Sequence, residues 1–219
     1  MKIMKEGRVL LKIAEERGGV KPGFSPYHVF EVLDFLYVRG VSGRHELMRL
    51  SGLGEASIKT LLNRLRKAGL VSILRPHGTR LTEVGRELVG NLKNTLKIIP
   101  YLRSESICTN CVISGLVLSN GYSILEKVGG VIVLRDLIVK EGADGALILT
   151  YFKETFYLPM MKELEELRNE ELSKQLRDYE VRDNDLIVLG MCYSSNGKRC
   201  LAAVFNTIIK ILSSEGSEE

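Results

Sequence analysis

The sequence predicts an α+β protein of two domains, and three observations support this prediction. A chain of 219 residues with 45% hydrophobic content can bury two modest cores. Apolar residues recur with helical spacing through much of the first hundred residues, whereas short strand-like runs alternate with helical segments after Pro100. The charge changes at the same place: residues 1–100 carry 18 Lys and Arg against 9 Asp and Glu, a net charge of +9, and residues 101–219 carry 13 against 18, a net charge of −5.

This charge asymmetry is typical of a chain whose first half meets a polyanion, although basic surfaces also occur on proteins that bind nothing anionic. No run of 18 or more uncharged apolar residues is present, and the first six residues lack the apolar block of a signal peptide. We therefore expect a cytoplasmic protein with no membrane partner. The single glutamine, Gln175, indicates selection against heat-labile amides and hence a thermophilic source.

Residues 1–24 are predicted to form an N-terminal helix or arm. Val9, Leu10, Ile13 and Ala14 define a short amphipathic helix that ends before two glycines. Such a helix covers either a partner subunit or the core of its own domain, and the sequence leaves both open.

Residues 25–98 are predicted to form the next domain, which begins with two helices. Ser25-Pro26 supplies an N-cap and a proline at the first helical position, and this helix ends at Gly40. A shorter helix is predicted over residues 43–51. The tripeptide Gly52-Leu53-Gly54 then makes a tight turn, because glycine tolerates a positive φ and the leucine fits between the helices.

The helix predicted over residues 55–68 has two unlike sides. Projected at 100° per residue, aliphatic residues cluster on one side and small or polar residues on the other. The second side offers donors to phosphates and base edges, so we expect it to face the groove of DNA; the alternative is a solvated surface helix. The aliphatic set is Ile58, Leu61, Leu62 and Leu65, and the opposite set is Ala56, Thr60, Asn63 and Lys67, flanked by Lys59 and Arg64.

A two-stranded wing is predicted directly after this helix. Residues 70–74 and 79–81 are predicted as strands around the turn at residues 75–78. The wing carries Arg75, His77 and Arg80, cationic side chains suited to the minor groove or the flanking phosphates. Thr82 then caps a fourth helix, whose predicted inner face is Val84, Leu88, Val89 and Leu92.

The predicted elements are, in order, two helices, a glycine-rich turn, a helix ending in Ala68-Gly69-Leu70-Val71, a wing and a Leu-Thr-x-x-Gly helix. This order resembles that of the winged-helix domains of bacterial and archaeal transcription regulators. More narrowly, the segment from Gly43-Arg44 to Leu65 and the motif Leu81-Thr82-Glu83-x-Gly85 look like an uncharacterised archaeal family that joins such a domain to a C-terminal domain of unknown function. The resemblance implies a winged helix-turn-helix domain in a regulator, and it supplies no catalytic residues.

Double-stranded DNA is therefore the predicted partner, although winged helices also dock proteins and a scaffold is a further alternative. The candidate DNA-binding residues share polar or cationic side chains on the helix or the wing. They are Ser57, Lys59, Thr60, Asn63, Arg64, Lys67, Arg75, His77 and Arg80.

Residues 105–219 are predicted to form a small α/β sandwich-type domain that dimerises or binds a small-molecule effector. The last predicted helix is apolar over more than half its circumference, so it must be buried against the sheet or in a subunit interface. We favour a homodimer, because duplex operators are commonly read by two-fold dimers, whereas the effector rests on analogy. Strands are predicted at 111–118, 146–151, 155–158 and 186–191, and helices at 133–141, 160–177 and 198–212.

Neither a catalytic centre nor a cofactor site is predicted. All three histidines lie in the first half, and residues 194–198, which could hold an anion at a helix N-terminus, lack a Walker pattern. The competing hypothesis is an enzyme in the second half with the winged helix as its autoregulator. The available carboxylates are Asp136, Asp144, Asp183 and Asp185, at helix or turn positions where a solvated aspartate is ordinary. The cysteines Cys108, Cys111, Cys192 and Cys200 allow buried thiols, disulfides or a zinc site.

Overall fold

The computed structural model describes residues 3–74, 76–160, 163–193 and 197–214. Backbone contacts divide the chain into two compact units. Unit 1 comprises Met1–Lys93 with Ile209–Glu219, and unit 2 comprises Asn94–Ile208. Within the described ranges, no helix is both long and apolar enough to cross a membrane.

Unit 1 combines helices with a small antiparallel sheet of three strands in the order β1-β3-β2. The helices and strands predicted over residues 26–92 are present. The helices are α1 (Ile3–Ala14), α2 (Pro26–Arg39), α3 (Arg44–Ser51), α4 (Glu55–Lys67) and α5 (Glu83–Thr95), and the strands are β1 (Val41–Ser42), β2 (Val71–Leu74) and β3 (Gly78–Leu81).

The ends of these helices follow from local chemistry. The Ser25 amide donates a hydrogen bond of 3.1 Å to His28 Nδ1, which satisfies a backbone group at the start of α2. Gly52 ends α3 in the left-handed region at φ 69°, and the next residue, Leu53, is buried as predicted. The Thr82 hydroxyl accepts a hydrogen bond of 3.1 Å from the Gly85 amide and so caps α5.

The amphipathic helix α1 covers the core of its own domain, which is one of the two alternatives left by the sequence. Leu10 and Ile13 are buried, and α1 contacts α2 and α4. The prediction for Val84 is wrong, because Val84 is 61% exposed although Leu88 and its neighbours on α5 are buried. Val84 lies in the first turn of α5.

Unit 2 is a mixed α/β unit built on one six-stranded sheet. Every strand pair in it is antiparallel, and the strand order is β4-β5-β9-β6-β7-β8. The strands are β4 (Leu96–Leu102), β5 (Val112–Leu118), β6 (Gly145–Phe152), β7 (Thr155–Pro159), β8 (Leu164–Glu166) and β9 (Leu186–Cys192), and the helices are α6 (Ser123–Val128), α7 (Val131–Lys140), α8 (Glu170–Arg177) and α9 (Gly197–Ser214).

Successive strand residues point to opposite faces of the sheet, and helices cover both faces. On one face, Leu172 and Leu176 of α8 pack into a core with Leu189 and other apolar strand residues. On the other face, a Cβ added to Gly190 would lie 2.9 Å from Val204 Cγ2, so α9 lies closely over β9.

The long helix predicted over residues 160–177 is wrong. Residues 164–166 form a strand that pairs with β7, and the helix begins at Glu170, where the Asn169 side chain accepts a hydrogen bond of 2.9 Å from the Leu172 amide. Met161 and Lys162 lie outside the described residues. The strand β4, which contains Pro100, and the short helix α6 were not predicted.

Helix α9 is buried within the chain itself. Cys200, Val204 and Ile208 are fully buried in unit 2, and the part of α9 from Ile209 onward belongs to unit 1. There the Arg8 Nε donates a hydrogen bond of 3.1 Å to the Ser213 carbonyl, which joins α9 to α1. The apolar circumference of α9 therefore requires no partner subunit to be buried.

Candidate nucleic-acid interface

Helix α4 is fixed in unit 1 by its aliphatic side. Ile58, Leu61, Leu62 and Leu65 are all buried, as predicted from their spacing. Gly54 precedes the helix in an extended conformation, and α3 and β2 contact the helix. The aliphatic side of α4 is thus held against the core, so the opposite side of the helix must face away from it.

The side of α4 opposite the core is polar and exposed. Lys59, Thr60, Asn63 and Lys67 are all exposed, so the structure brings four of the predicted residues together on one surface. The Thr60 hydroxyl donates a hydrogen bond of 2.9 Å to the Ala56 carbonyl, which fixes the orientation of its side chain. We call these four residues the α4 face.

The charged side chains of the α4 face are both lysines. The acidic residue in α4 is Glu55 at its N-terminus, and its carboxylate lies 3.1 Å from the Arg44 guanidinium. Arg66, which is not among the predicted DNA-binding residues, is also exposed, and its Nη2 donates a hydrogen bond of 3.3 Å to Asn63 Oδ1. Its position next to Lys67, at the cationic end of the helix, could have indicated from the sequence that Arg66 belongs to this surface.

Arg64, one of the predicted DNA-binding residues, does not lie on the α4 face. Its Nη1 donates hydrogen bonds of 2.7 Å to the carbonyls of Ile13 and Glu15, and its guanidinium lies 5.4 Å from the centroid of the Phe24 ring. The guanidinium therefore ties α4 to the N-terminal segment. Burial lowers the pKa of Arg64, the nearby charge of Arg17 lowers it further, and Glu15 opposes both.

Ser57 is likewise turned towards the N-terminal segment. It is half-buried, and a Cβ added to Gly23 would lie only 2.7 Å from its Oγ. The backbone at Gly23 therefore lies against this side chain. Ser57 borders the α4 face and lies outside its exposed centre.

The β2–β3 pair carries two of the three predicted wing residues as exposed side chains. His77 lies in the turn before β3, and Arg80 lies on β3 with its Nε donating a hydrogen bond of 3.3 Å to Ser72 Oγ. Arg80 pairs in register with Ser72 on one side and Val41 on the other, so it is held at the centre of the small sheet. Arg75 lies outside the described residues.

In unit 2 each of the four candidate carboxylates has a structural partner. Asp185 is buried and accepts hydrogen bonds of 2.9 Å from the amides of Asn120 and Arg182. The partners of the others are the Tyr193 amide for Asp144, the Lys153 amide for Asp183 and the Arg135 guanidinium for Asp136.

The cysteines form two disulfides, Cys108–Cys111 and Cys192–Cys200, each with Cα atoms 5.8 Å apart. Among the described residues, no group of three or more metal-ligating side chains could hold a metal ion. Residues 194–196 of the predicted anion loop lie outside the described residues.

Comparisons with known proteins match both the sequence and the fold. Residues 113–208, which lie in unit 2, match the family described as "Domain of unknown function (DUF4443)". Among solved structures, the chain is similar to "Hypothetical protein PH0730 from Pyrococcus horikoshii OT3", with 23% sequence identity and a TM-score of 0.55. That similarity covers 84% of this chain and 90% of that chain. No curated protein matches the chain significantly.

The chain is thus a mixed α/β protein in which residues 113–208 are similar to a domain family of unknown function, and its fold is similar to that of an archaeal protein. These matches agree with the C-terminal part of the resemblance stated from the sequence. Because the solved structure is under a quarter identical to the chain, the likeness concerns the fold alone.

Proposed function

We propose that the chain is a transcription regulator in which unit 1 is a winged helix-turn-helix domain that binds double-stranded DNA. The observation that carries the proposal is the α4 face, an exposed polar surface with two lysines and no carboxylate. An exposed face rich in donors on the last helix before a β-hairpin is the arrangement by which such domains read DNA.

In this proposal α4 enters the major groove while β2 and β3 form the wing. Asn63 and Thr60 face base edges, and Lys59 and Lys67 contact phosphates. His77 and Arg80 reach the adjacent backbone or minor groove. Arg64 acts as an anchor of α4 and makes no contact with DNA.

Binding to a duplex of mixed sequence tests this function before any operator is known. The 219-residue chain is titrated into a fluorescent 30-base-pair duplex, and anisotropy is followed at several salt concentrations. We expect a dissociation constant of about 10⁻⁴ to 10⁻⁶ M near physiological salt, with the logarithm of the association constant falling linearly with the logarithm of salt. Absence of binding at low salt contradicts the proposal and favours a protein-docking role for α4.

We further propose that the regulator is a homodimer that forms through α7. Helix α7 exposes a run of apolar side chains, with Ile132 52% and Leu137 38% exposed, next to the surface ion pair of Arg135 and Asp136. In a two-fold pairing, the same apolar patch on each copy would cover the other, and each Arg135 could reach the partner's acidic side chain.

The exchange Leu137→Glu is expected to shift the chain from dimer to monomer. It places a carboxylate in the centre of the proposed apolar contact, where it would be desolvated without a partner. Sedimentation velocity at about 10 µM protein measures the change. The control is Val38→Glu on α2, an equally polar exchange at a side chain that is 76% exposed. A wild-type chain that sediments as a monomer, or a variant that remains dimeric, contradicts the α7 interface.

A further inference from the structure

A cavity of about 460 Å³ lies within unit 1, bounded by α1, the C-terminal end of α4 and α5. Ligand sites in proteins usually enclose roughly 300 to 1,000 Å³, so the cavity can hold a small organic molecule. Val84, which is exposed rather than buried in the core, forms part of its wall. The apolar lining consists of Val9, Ile13, Ala68, Leu70, Val84 and Leu88.

Positive charge dominates the polar part of the lining. Five cationic side chains face two carboxylates, those of Glu6 and Glu87. Arg64 is bound to backbone carbonyls, while the other four cations are exposed at the mouth of the cavity. An apolar cavity with a cationic mouth favours an anion with an apolar body. The four exposed cations are Lys5, Lys12, Arg17 and Lys67.

One buried polar atom in the lining lacks a hydrogen-bond partner among the described residues. Glu6 is 7% exposed, and its Oε1 accepts a hydrogen bond of 2.8 Å from Asn91 Nδ2. Its Oε2 is buried and has no hydrogen-bond partner among the described residues. Because buried polar atoms are nearly always paired, a donor group brought by a ligand would complete the site. Both Glu6 and Asn91 line the cavity.

We propose that this cavity binds a small organic anion that has an apolar body and an N–H or O–H donor, and that its binding weakens the affinity for DNA. The carboxylate of the ligand lies among the cations at the mouth, the body contacts the aliphatic lining, and the donor reaches Glu6 Oε2. The site belongs to unit 1, whereas the sequence placed any effector in the second half.

The link to DNA rests on the proposed function and on Lys67. Lys67 belongs to both the α4 face and the cavity lining, so an anion held beside it competes with a DNA phosphate for the same charge. Arg17 and Arg64 are close enough to repel each other, and an anion beside them would relieve that repulsion. We expect a severalfold loss of DNA affinity and a shallower salt dependence on ligand binding.

Indole-3-acetate is a suitable probe, because it combines a carboxylate, an apolar ring and a ring N–H. Binding to the 219-residue chain is measured by calorimetry without DNA. We expect saturable binding at millimolar concentrations or below, and about tenfold weaker binding of both 1-methylindole-3-acetate and 3-methylindole. The first analogue lacks the donor, and the second lacks the carboxylate.

Two variants locate the probe in the cavity. Glu6→Gln replaces the Oε2 acceptor, so it should lower the affinity for indole-3-acetate. The 1-methyl analogue, which cannot donate to Oε2, should bind no more weakly than before, because the exchange also removes a negative charge, and this retained binding shows that the variant is folded. Lys12→Glu should lower the affinity for both carboxylate probes. Lys21 is an exposed lysine of unit 1 outside the lining, so Lys21→Glu should lower the affinity for neither probe.

The results separate this site from the proposed function. Absence of probe binding, or equal affinities for the probe and both analogues, overturns the site. Probe binding with unchanged DNA affinity overturns the coupling, provided that the chain binds DNA. Probe binding in a chain that never binds DNA supports the site and contradicts the proposed function instead.

Discussion

Reversing the charges of Lys59 and Lys67 together is expected to weaken duplex DNA binding by about 100-fold at low salt. Each lysine is proposed to contact a phosphate, and reversal removes an attraction and adds a repulsion, about tenfold for each position. Loss of the two contacts should also reduce the slope of log affinity against log salt by about two. Both side chains are exposed, so the fold should tolerate Lys59→Glu and Lys67→Glu.

The control for this double variant must change the total charge by the same amount. Lys153→Glu with Lys174→Glu does so at two exposed positions of unit 2 outside α7. Anisotropy titrations with the mixed-sequence duplex compare the two double variants with the wild-type chain. Equal loss in both would mean that total charge, rather than the α4 face, determines the affinity, and unchanged affinity in the Lys59 and Lys67 variant would remove α4 from the DNA interface.

Local periodicity was sufficient to predict the α4 face. Ile58, Leu61, Leu62 and Leu65 repeat at helical spacing, so the opposite residues had to face away from the core. Arg64 could not be assigned in this way, because its partners, the carbonyls of Ile13 and Glu15, are some fifty positions away in the sequence. The border of a helical face is decided by such distant contacts.

Residues 160–177 show where periodicity misleads. The apolar residues there fit a helical stripe, but Leu164 is 41% exposed and lies in a strand paired with β7, whereas Leu172 is buried in α8. Pairing with a neighbouring strand outweighs helix propensity when an unpaired edge lies alongside. Asn169, a good N-cap residue inside the predicted helix, marked the true start of α8.

The cavity in unit 1 also could not be predicted from the sequence. Lys5 and Lys12 are seven positions apart and lie on one side of α1, which was a sign of a cationic surface. Their proximity to Lys67 and Glu87 depends on how α1 packs against α4 and α5, and no local pattern encodes that packing. The same holds for α9, whose apolar circumference fits a subunit interface as well as the sheet that covers it.

The glycine of the Leu-Thr-x-x-Gly motif can now be explained by packing. A Cβ added to Gly85 would collide with the carbonyl oxygen of Leu70 and would lie 3.3 Å from Leu81 Cδ2. The Leu70 carbonyl also accepts a hydrogen bond of 3.0 Å from the Thr82 amide, so it cannot move away without breaking that bond. Gly85 therefore allows α5 to approach the chain between α4 and β2.

Gly85→Ala is expected to lower the free energy of unfolding by about 1 to 3 kcal/mol, as overpacked cores do. The matched control is Gly90→Ala in the same helix, where the nearest heavy atom to an added Cβ is Tyr37 Oη at 3.9 Å. With space available, this exchange should stabilise the helix by roughly 0.5 to 1 kcal/mol.

Urea unfolding followed by circular dichroism compares the two variants, with the transition of unit 1 analysed separately if the two units unfold in steps. Opposite signs are the expected result. Because Gly85 holds α5 close to the end of α4, its replacement should also disturb the α4 face and reduce DNA binding, whereas Gly90→Ala should leave binding unchanged. Equal stability changes in the two variants would show that helix propensity, and not the contact with Leu70, accounts for the motif glycine.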